Sequence, residues 1–219
     1  ISLLAGCQKS ESTEEGAAES QENSAQTAAG GEVTIGVTSF ADTLEPTEQY
    51  FSWVVTRYGV GETLAKFDEE GEIVPCLAEE WSVSEDQLTW TFKIREGVKF
   101  SNGNDMTPEA VKASLERTFE LSDRAATFFD PESIEVDGQN LLIKTKDPVA
   151  VVPGSLADPL FLIVDTSADT DSFAMSGPIC TGPYAVESFS PTDSCVVVKN
   201  EYYWDGEVPL DRVTLKCID

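Results

Sequence analysis

The chain has 219 residues, of which 40 are acidic, 14 are basic and none is histidine, so its formal charge at pH 7 is −26. Nucleic acids and anionic membrane surfaces repel a chain of this charge, which argues against a nucleic-acid partner. The absence of histidine removes the commonest general base and the commonest metal ligand. Hydrophobic residues make up 41% of the sequence, enough for the core of one or two small domains.

The first seven residues are predicted to be the end of a targeting signal. The motif LAGC at residues 4–7 matches the bacterial lipobox, in which the signal is cut before the cysteine and the thiol is acylated. A fragment of buried helix with a chance cysteine is the alternative interpretation. Residues 8–31 contain no large apolar side chain and are typical of a disordered tether. Cys7 is therefore the predicted lipidation site and membrane anchor, and the chain is expected to begin inside its signal.

Residues 75–119 contain the strongest secondary-structure pattern in the chain. Apolar and polar side chains alternate from residue 88 to residue 95, which is the period of a strand with one buried face. The side chains predicted to be buried are Leu88, Trp90, Phe92 and Ile94. Turn residues flank this strand, and a second short strand is predicted at residues 98–100.

A helix is predicted to begin shortly after these strands. Thr107 occupies the N-cap position and Pro108 the first helical position, where its missing N–H costs nothing. An apolar residue at every fourth position gives the helix a core-facing stripe, formed by Val111, Leu115 and Phe119.

The other predicted elements are shorter. A strand at residues 32–37 leads to an aromatic-rich segment that has the spacing of an amphipathic helix. Two strands joined by the turn DGQN extend the small sheet, a buried strand ends a proline-rich stretch, and a hairpin and a last strand follow. These strands are predicted at residues 134–136, 141–145, 160–164, 184–189, 195–199 and 213–218.

Several motifs together resemble one family. The segment from Pro75 contains P-x-LAE-x-W-x-VS, then IREGVKFSNG, then MTPEAV and LER. With LEP at 44–46, GETL at 61–64, TGPY at 181–184 and NEYYW at 200–204, it resembles the solute-binding proteins of ABC importers. More narrowly, it resembles the subgroup that carries oligopeptides, dipeptides and chelated nickel. Cys180 stands where that family usually has glycine.

The resemblance implies a fold and a domain organisation. The expected class is mixed α/β, a lobe like those of type II periplasmic binding proteins with an inserted small β-rich subdomain. Residues 32–65 and 177–219 would form the main lobe, and residues 66–176 the insertion. Family members continue for about as long again, so a second lobe is expected to be missing from this chain.

The resemblance also places candidate ligand residues. Tyr50 falls where peptide-type receptors have a ligand-contacting side chain, with Ser52 and Trp53 just beyond it. The alternative is that this segment is simply an amphipathic helix with Trp53 in the core. Phe128 is the nearest match to a family aromatic that reaches toward the ligand, and packing beneath its own loop is the alternative.

The remaining cysteines have two interpretations. If Cys7 is lipidated, an even number is left, which permits two disulfides outside the cytoplasm. No pair has the spacing of a zinc ribbon or a redox motif, and three lie in apolar, strand-like settings typical of buried free thiols. We therefore predict free thiols at Cys76, Cys180, Cys195 and Cys217.

No catalytic constellation is present in the sequence. It has no histidine-based nucleophile pair, no glycine-rich phosphate loop and no carboxylates at the spacing of a metal loop, so we predict no enzyme activity, no metal and no cofactor. The resemblance instead predicts an extracytoplasmic, lipid-anchored protein that delivers peptides to an ABC permease. A receptor for nickel chelates and a surface sensor or interaction lipoprotein without transport are the alternatives.

Overall fold

The computed structural model describes residues 30–38 and 40–218, so Cys7 and the predicted tether up to residue 29 lie outside the described residues. The strands are β1 (Glu32–Val37), β2 (Ala65–Phe67), β3 (Ile73–Pro75), β4 (Ala78–Val83), β5 (Thr89–Ile94), β6 (Pro131–Asp137), β7 (Asn140–Thr145), β8 (Tyr184–Ser190), β9 (Ser194–Lys199) and β10 (Arg212–Cys217). The α-helices are α1 (Phe51–Arg57), α2 (Pro108–Leu121), α3 (Ala125–Phe128), α4 (Val152–Ser155) and α5 (Phe173–Ser176). Within the described ranges, no helix is both long and apolar enough to cross a membrane.

The first sheet joins the two ends of the described chain. Its strand order is β1-β10-β9-β8, with β1 parallel to β10 and the other neighbours antiparallel. Glu32 lies opposite Arg212, so residues far apart in sequence are neighbours in the sheet. The predicted strand at 32–37, the hairpin and the last strand are confirmed, each to within a residue or two.

The second sheet belongs to the segment between these ends. It has the antiparallel order β4-β5-β7-β6, and α2 packs against β6 and β7. The predicted alternation is confirmed at the end of β5, because Phe92 and Ile94 are fully buried while Lys93 between them is exposed. From residue 88 to residue 91 it is not seen, because Leu88 and Trp90 are only part-buried, as are the threonines beside them. Trp81 lies opposite Phe92 in the pairing of β4 with β5, so both rings lie on the helix-covered side of the sheet.

The start of α2 is confirmed in detail. The Oγ1 atom of Thr107 accepts a hydrogen bond from the backbone N–H of Ala110 over 3.3 Å, and Pro108 is the first helical residue. Val111 and Leu115 are fully buried, as the spacing of the apolar stripe requires. The sequence signals for this helix and its covered face are therefore mutually consistent.

The short strand predicted at residues 98–100 is wrong. The segment forms only an isolated bridge between Lys99 and Asp105, because the backbone turns back at once. The N–H of Phe100 donates to the carbonyl of Asn104, and the N–H of Gly103 donates to the carbonyl of Phe100, which closes a tight turn. Val98 and Phe100, on either side of Lys99, are buried in the core beneath the second sheet although they belong to no strand.

The strand predicted at residues 160–164 is also wrong, although all five residues are buried. The segment starts as a 3₁₀ turn, Pro159–Phe161, with the Asp158 carboxylate accepting from the N–H of Leu160 over 2.9 Å. Proline has no N–H to donate to a ladder. Beyond the turn, the N–H of Ile163 donates to the carbonyl of Glu62, so the extended chain makes single cross-chain bonds and not a ladder.

Two apolar cores lie at the two sheets. One is built around Phe92, Leu115 and Phe161 beneath the second sheet, and the other around Leu44, Val197 and Leu215 beneath the first. Leu162 and Phe173 come from the predicted insertion but pack into the core beneath the first sheet. Leu64 comes from the predicted main lobe but packs into the core beneath the second sheet. The domain boundaries drawn from the sequence stay predictions.

We expect Trp90→Ala to lower the free energy of unfolding by about 2–3 kcal/mol, measured by urea denaturation. Trp90 is only half-buried, but its ring stacks near Phe92 with centroids 6.4 Å apart, and its Nε1–H donates to the carbonyl of Val149 over 2.9 Å. The matched control is Thr91→Ala on the opposite face of β5, which should cost less than about 1 kcal/mol. Equal losses for the two variants would contradict the facing of this strand.

Candidate functional site

Two exposed aromatic side chains lie at the start of α1. Tyr50, the residue before the helix, is 65% exposed, and Trp53 is 45% exposed. The N–H of Trp53 donates to the carbonyl of Tyr50 over 3.0 Å, so both rings project from the same turn. The helix interpretation of this segment is confirmed, but its placement of Trp53 in the core is wrong.

Arg124 completes this surface and was missed by the sequence reasoning. Its guanidinium carbon lies 4.1 Å from the centroid of the Tyr50 ring, within the range of a cation–π contact. Its Nη1 donates to the carbonyl of Gln49 over 2.6 Å. The other N–H groups of the guanidinium take no part in that bond. One signal was available, because Arg124 is the single basic residue between positions 118 and 143.

The backbone at this surface adopts an unusual conformation. Gln49 has φ = 44°, in the left-handed region that residues other than glycine rarely enter. Conformations of this kind persist where surrounding contacts hold them and are concentrated at functional sites. The residue in this conformation is Gln49, which directly precedes Tyr50 and whose carbonyl accepts the hydrogen bond from Arg124.

Ser52 and Phe128 lie elsewhere than on this exposed surface. Ser52 is fully buried in α1, and its hydroxyl has no hydrogen-bond partner among the described residues. Phe128, at the far end of α3 from Arg124, is half-buried and packs edge-on against Phe161 with ring centroids 5.4 Å apart. The structure therefore brings Tyr50 and Trp53 together, and the ligand roles of all four residues stay predictions.

A buried ion pair supports the loop before Tyr50. Arg117 of α2 binds Glu45 through both terminal nitrogens, over 3.0 and 2.9 Å, and only 15% and 10% of the two side chains are exposed. Burial alone would raise the pKa of Glu45, but the hydrogen bonds from Arg117 and Thr47 outweigh it and lower the pKa. The pair fixes the LEP loop against α2.

A second carboxylate, which is part-buried, connects three of the recognised motifs. Glu62 accepts hydrogen bonds from the Oγ1 of Thr181 over 2.7 Å and from the Nε1 of Trp204 over 2.9 Å. Burial raises the pKa of Glu62, and these two hydrogen bonds only partly offset it. Arg95 lies 4.5 Å from the Trp204 ring, so the network also contacts the end of β5. Its role is to hold the chain where it leaves and re-enters the first sheet.

The thiols do not form a reactive or metal-binding site. Cys76, Cys180, Cys195 and Cys217 are free, and the first three are buried. Burial raises the pKa of Cys76 and of Cys195 to about 12, so these thiols are protonated at neutral pH. Among the described residues, no group of three histidine, cysteine or acidic side chains is placed to hold a metal ion.

The fold is that of the type II periplasmic binding proteins, in its mixed α/β form. Residues 72–219 match the family described as bacterial extracellular solute-binding proteins, family 5 Middle. The chain belongs to this family of ABC solute-binding proteins.

The chain matches relatives that are named for the ligands they bind, over part of their length. It is 31% identical over 166 residues to the nickel-binding protein NikA of Staphylococcus aureus, covering 76% of this chain and 33% of that protein. It is 30% identical over 196 residues to the glutathione-binding protein GsiB of Escherichia coli K12, covering 85% and 38%. A crystal structure described as a nickel ABC transporter from Bacillus halodurans superposes with a TM-score of 0.78 at 37% identity, covering 87% and 39%. The chain therefore spans about one third to two fifths of the length of these relatives.

Proposed function

We propose that this protein is the extracytoplasmic solute-binding component of an ABC importer, which captures a small solute and delivers it to the permease. Membership of family 5 supports this role, as do relatives named for binding nickel and glutathione. The single structural observation that carries the proposal is the exposed pair of aromatics, Tyr50 and Trp53, with Arg124 against the Tyr50 ring. Exposed rings of this size beside a fixed cation are typical of ligand contacts.

We further propose that the solute is an oligopeptide or dipeptide. Most charged residues of this chain are acidic, 40 in number, but Arg124 places a cation on the candidate surface. The guanidinium edge that faces outward has N–H donors for a carboxylate, so it favours a solute that carries one. Tyr50 and Trp53 offer apolar ring faces for the side chains and peptide planes of such a ligand. Peptides present both kinds of group.

A nickel chelate of amino acids is the second candidate solute. The relative at 31% identity is named for nickel binding, and the structure at 37% identity is named for nickel transport. A chelate of this kind carries carboxylates that Arg124 would bind, and its organic ligands would pack on Trp53. The two candidates therefore share one surface and differ in the solute.

The test is calorimetric titration of the full-length protein with di- and tripeptides, with glutathione and with nickel–histidine. We expect one of these classes to bind with micromolar affinity, and Tyr50→Ala and Trp53→Ala each to weaken binding by about ten-fold. Tyr202→Ala is the matched control, because Tyr202 is a 48% exposed aromatic away from this surface, and it should leave the affinity unchanged. Equal loss in all three variants, or binding of none of the solutes, would contradict the proposal.

We also propose that Cys7 carries the lipid that holds the protein at the membrane. The support is the LAGC motif and the polar segment behind it. In the native host, the protein is expected to partition into detergent with acyl chains on Cys7, as measured by mass spectrometry. A Cys7→Ser variant should be released, whereas Cys217→Ser should stay bound, and a Cys7→Ser variant found in the membrane fraction to the same extent would contradict the anchor.

A further inference from the structure

An apolar groove lies on the second sheet, away from the Tyr50–Trp53 surface. We call it the hairpin groove, because the β2–β3 hairpin forms one of its walls. Its floor is formed by Trp81 and Trp90, and its walls by Phe67, Ile73 and Val151, around a volume of about 510 Å³. None of these residues belongs to the proposed solute-binding surface.

Several apolar side chains around the hairpin groove are exposed in the part of the chain that the structure describes. Phe67 is 54% exposed, Ile73 39% and Val151 59%, and all three surround the same depression. Exposed apolar residues scattered singly need no explanation, but a contiguous patch with a polar rim marks a protein–protein contact. The groove therefore has the composition of a docking site.

The rim of the groove is acidic and preorganised. The turn between β2 and β3 is closed by the Asp68 carboxylate, which accepts from the N–H groups of Glu70 and Glu72 over 3.0 and 2.8 Å. The carboxylates of Glu69, Glu70 and Glu72 form no ion pair within the described residues. Glu72 lines the groove, and Glu69 and Glu70 precede it in the same turn, so the turn carries three acidic side chains with no ion-pair partner among the described residues.

No cation of the described chain lines the groove to neutralise this charge. Lys66 is the nearest in sequence, but side chains alternate along a strand, so Lys66 points to the other face of the hairpin from Phe67. An occupant of the groove would therefore meet an apolar floor and an acidic rim.

We infer that the hairpin groove binds a segment of a partner protein with an apolar anchor residue flanked by lysine or arginine. The anchor would lie on Trp81 and Trp90 between Phe67 and Val151, and the flanking cations would reach Glu69, Glu70 and Glu72. Cations beside the accessible faces of these half-buried indole rings would gain a further attraction. The acidic rim excludes an anionic lipid surface as the occupant. This inference goes beyond solute capture, and it does not depend on which solute is bound.

The test uses three labelled synthetic decapeptides and fluorescence anisotropy with the full-length protein. One peptide places leucine and phenylalanine between lysines, the second replaces the lysines by glutamate, and the third replaces the apolar residues by serine. We expect only the first to bind, with an affinity that falls as salt is raised. Binding of the serine peptide with equal affinity would show attraction by overall charge and would overturn the proposal.

Substitutions in the hairpin groove test whether the first peptide binds there. Phe67→Ser, at an exposed position that leaves the core intact, should weaken the first peptide by about ten-fold, and Glu69→Gln with Glu72→Gln should weaken it and reduce its salt dependence. The matched controls are Leu121→Ser, another exposed apolar residue, and Asp169→Asn with Asp171→Asn, another acidic pair, and both should bind as the unchanged protein does. Controls that weaken binding as much as the groove variants would overturn the proposal.

Two further measurements separate the other occupants. Sedimentation would reveal a dimer that Phe67→Ser dissociates if a second copy of the chain fills the groove. Flotation with vesicles containing anionic phospholipid would reveal a membrane contact. Either result, with no peptide binding, would overturn the inference. Solute affinity measured on the same groove variants should not change, which separates a failure here from a failure of the proposed transport role.

Discussion

Replacing Arg117 by alanine is expected to lower the free energy of unfolding by about 3–5 kcal/mol, measured by urea denaturation at neutral pH. The substitution leaves the Glu45 carboxylate buried without its bidentate partner. It also removes the guanidinium that lies 5.4 Å from the Phe173 ring. Because the lost pair ties the LEP loop to α2, the variant should also loosen the segment that presents Tyr50.

The effect should depend on pH with a definite sign. The pKa of Glu45 is lowered in the folded protein, so the ion pair stabilises the fold above the ordinary pKa of 4.5 and loses that contribution as the pH falls through the lowered value. The penalty of Arg117→Ala should therefore shrink in acid. Lys112→Ala is the control, since its pair with Glu116 is exposed and should cost less than about 1 kcal/mol. Equal costs for Arg117 and Lys112 would contradict the assignment of a buried pair.

Glu62→Ala is the second large effect, with an expected loss of about 2–4 kcal/mol. The change leaves the indole N–H of Trp204 and the hydroxyl of Thr181 without their acceptor, in a part-buried site where two of the recognised motifs meet. Glu62→Gln keeps an acceptor for both donors and should cost far less. Urea denaturation of the two variants checks the order.

The pH dependence of Glu62 has the opposite sign to that of Glu45. Its pKa is raised on folding, so folded Glu62 keeps its proton to higher pH than the unfolded chain does. The stability this provides is complete below the ordinary pKa of 4.5 and is lost as the pH rises through the folded value. Glu62→Gln should therefore gain stability relative to the unchanged protein as the pH rises above 4.5. A constant difference across this range would contradict the raised pKa.

The elements with several local signals could be predicted from the sequence. The helix after Thr107 has an N-cap, a proline at its first position and a regular apolar stripe, and all three indicate the same boundary. The alternation in β5 fixed which rings face the helix, because a strand has only two faces. The hairpin of β8 and β9 followed from apolar runs around a turn of serine, proline and aspartate.

The elements that failed depend on contacts distant in sequence. β2 and β3 have three residues each, too few to show a period, and exist because they pair with one another. The buried segment at 160–164 has the composition of a strand, but the N–H of Ile163 donates to the carbonyl of Glu62 and that of Val164 to the Oγ of Ser114, so no ladder forms. Burial was predictable there from hydrophobicity, and hydrogen bonding was not.

The candidate site could be predicted only in part, because it too depends on contacts between residues distant in sequence. Tyr50 and Trp53 followed from the resemblance to family 5, but Arg124 lies in the turn before α3, some seventy residues away, and joins them only through the fold. The left-handed backbone at Gln49 has no sequence signal, because glutamine rarely adopts it. Ser52 is two positions from Tyr50, and helical geometry turns it to the opposite side.

The parallel pairing of β1 with β10 has a consequence for the order in which the chain folds. The chain between these two strands, residues 38–211, must close as one long loop before they can pair, and the entropic cost of closing a loop grows with its length. The sheet of β4 to β7 and its helix lie within that interval and can close first, since their contacts are nearer in sequence. Until β10 pairs with β1, Val33 and Ile35 are carried on an unpaired strand, so we expect β1 to be the segment where misassembly or capture by a chaperone begins.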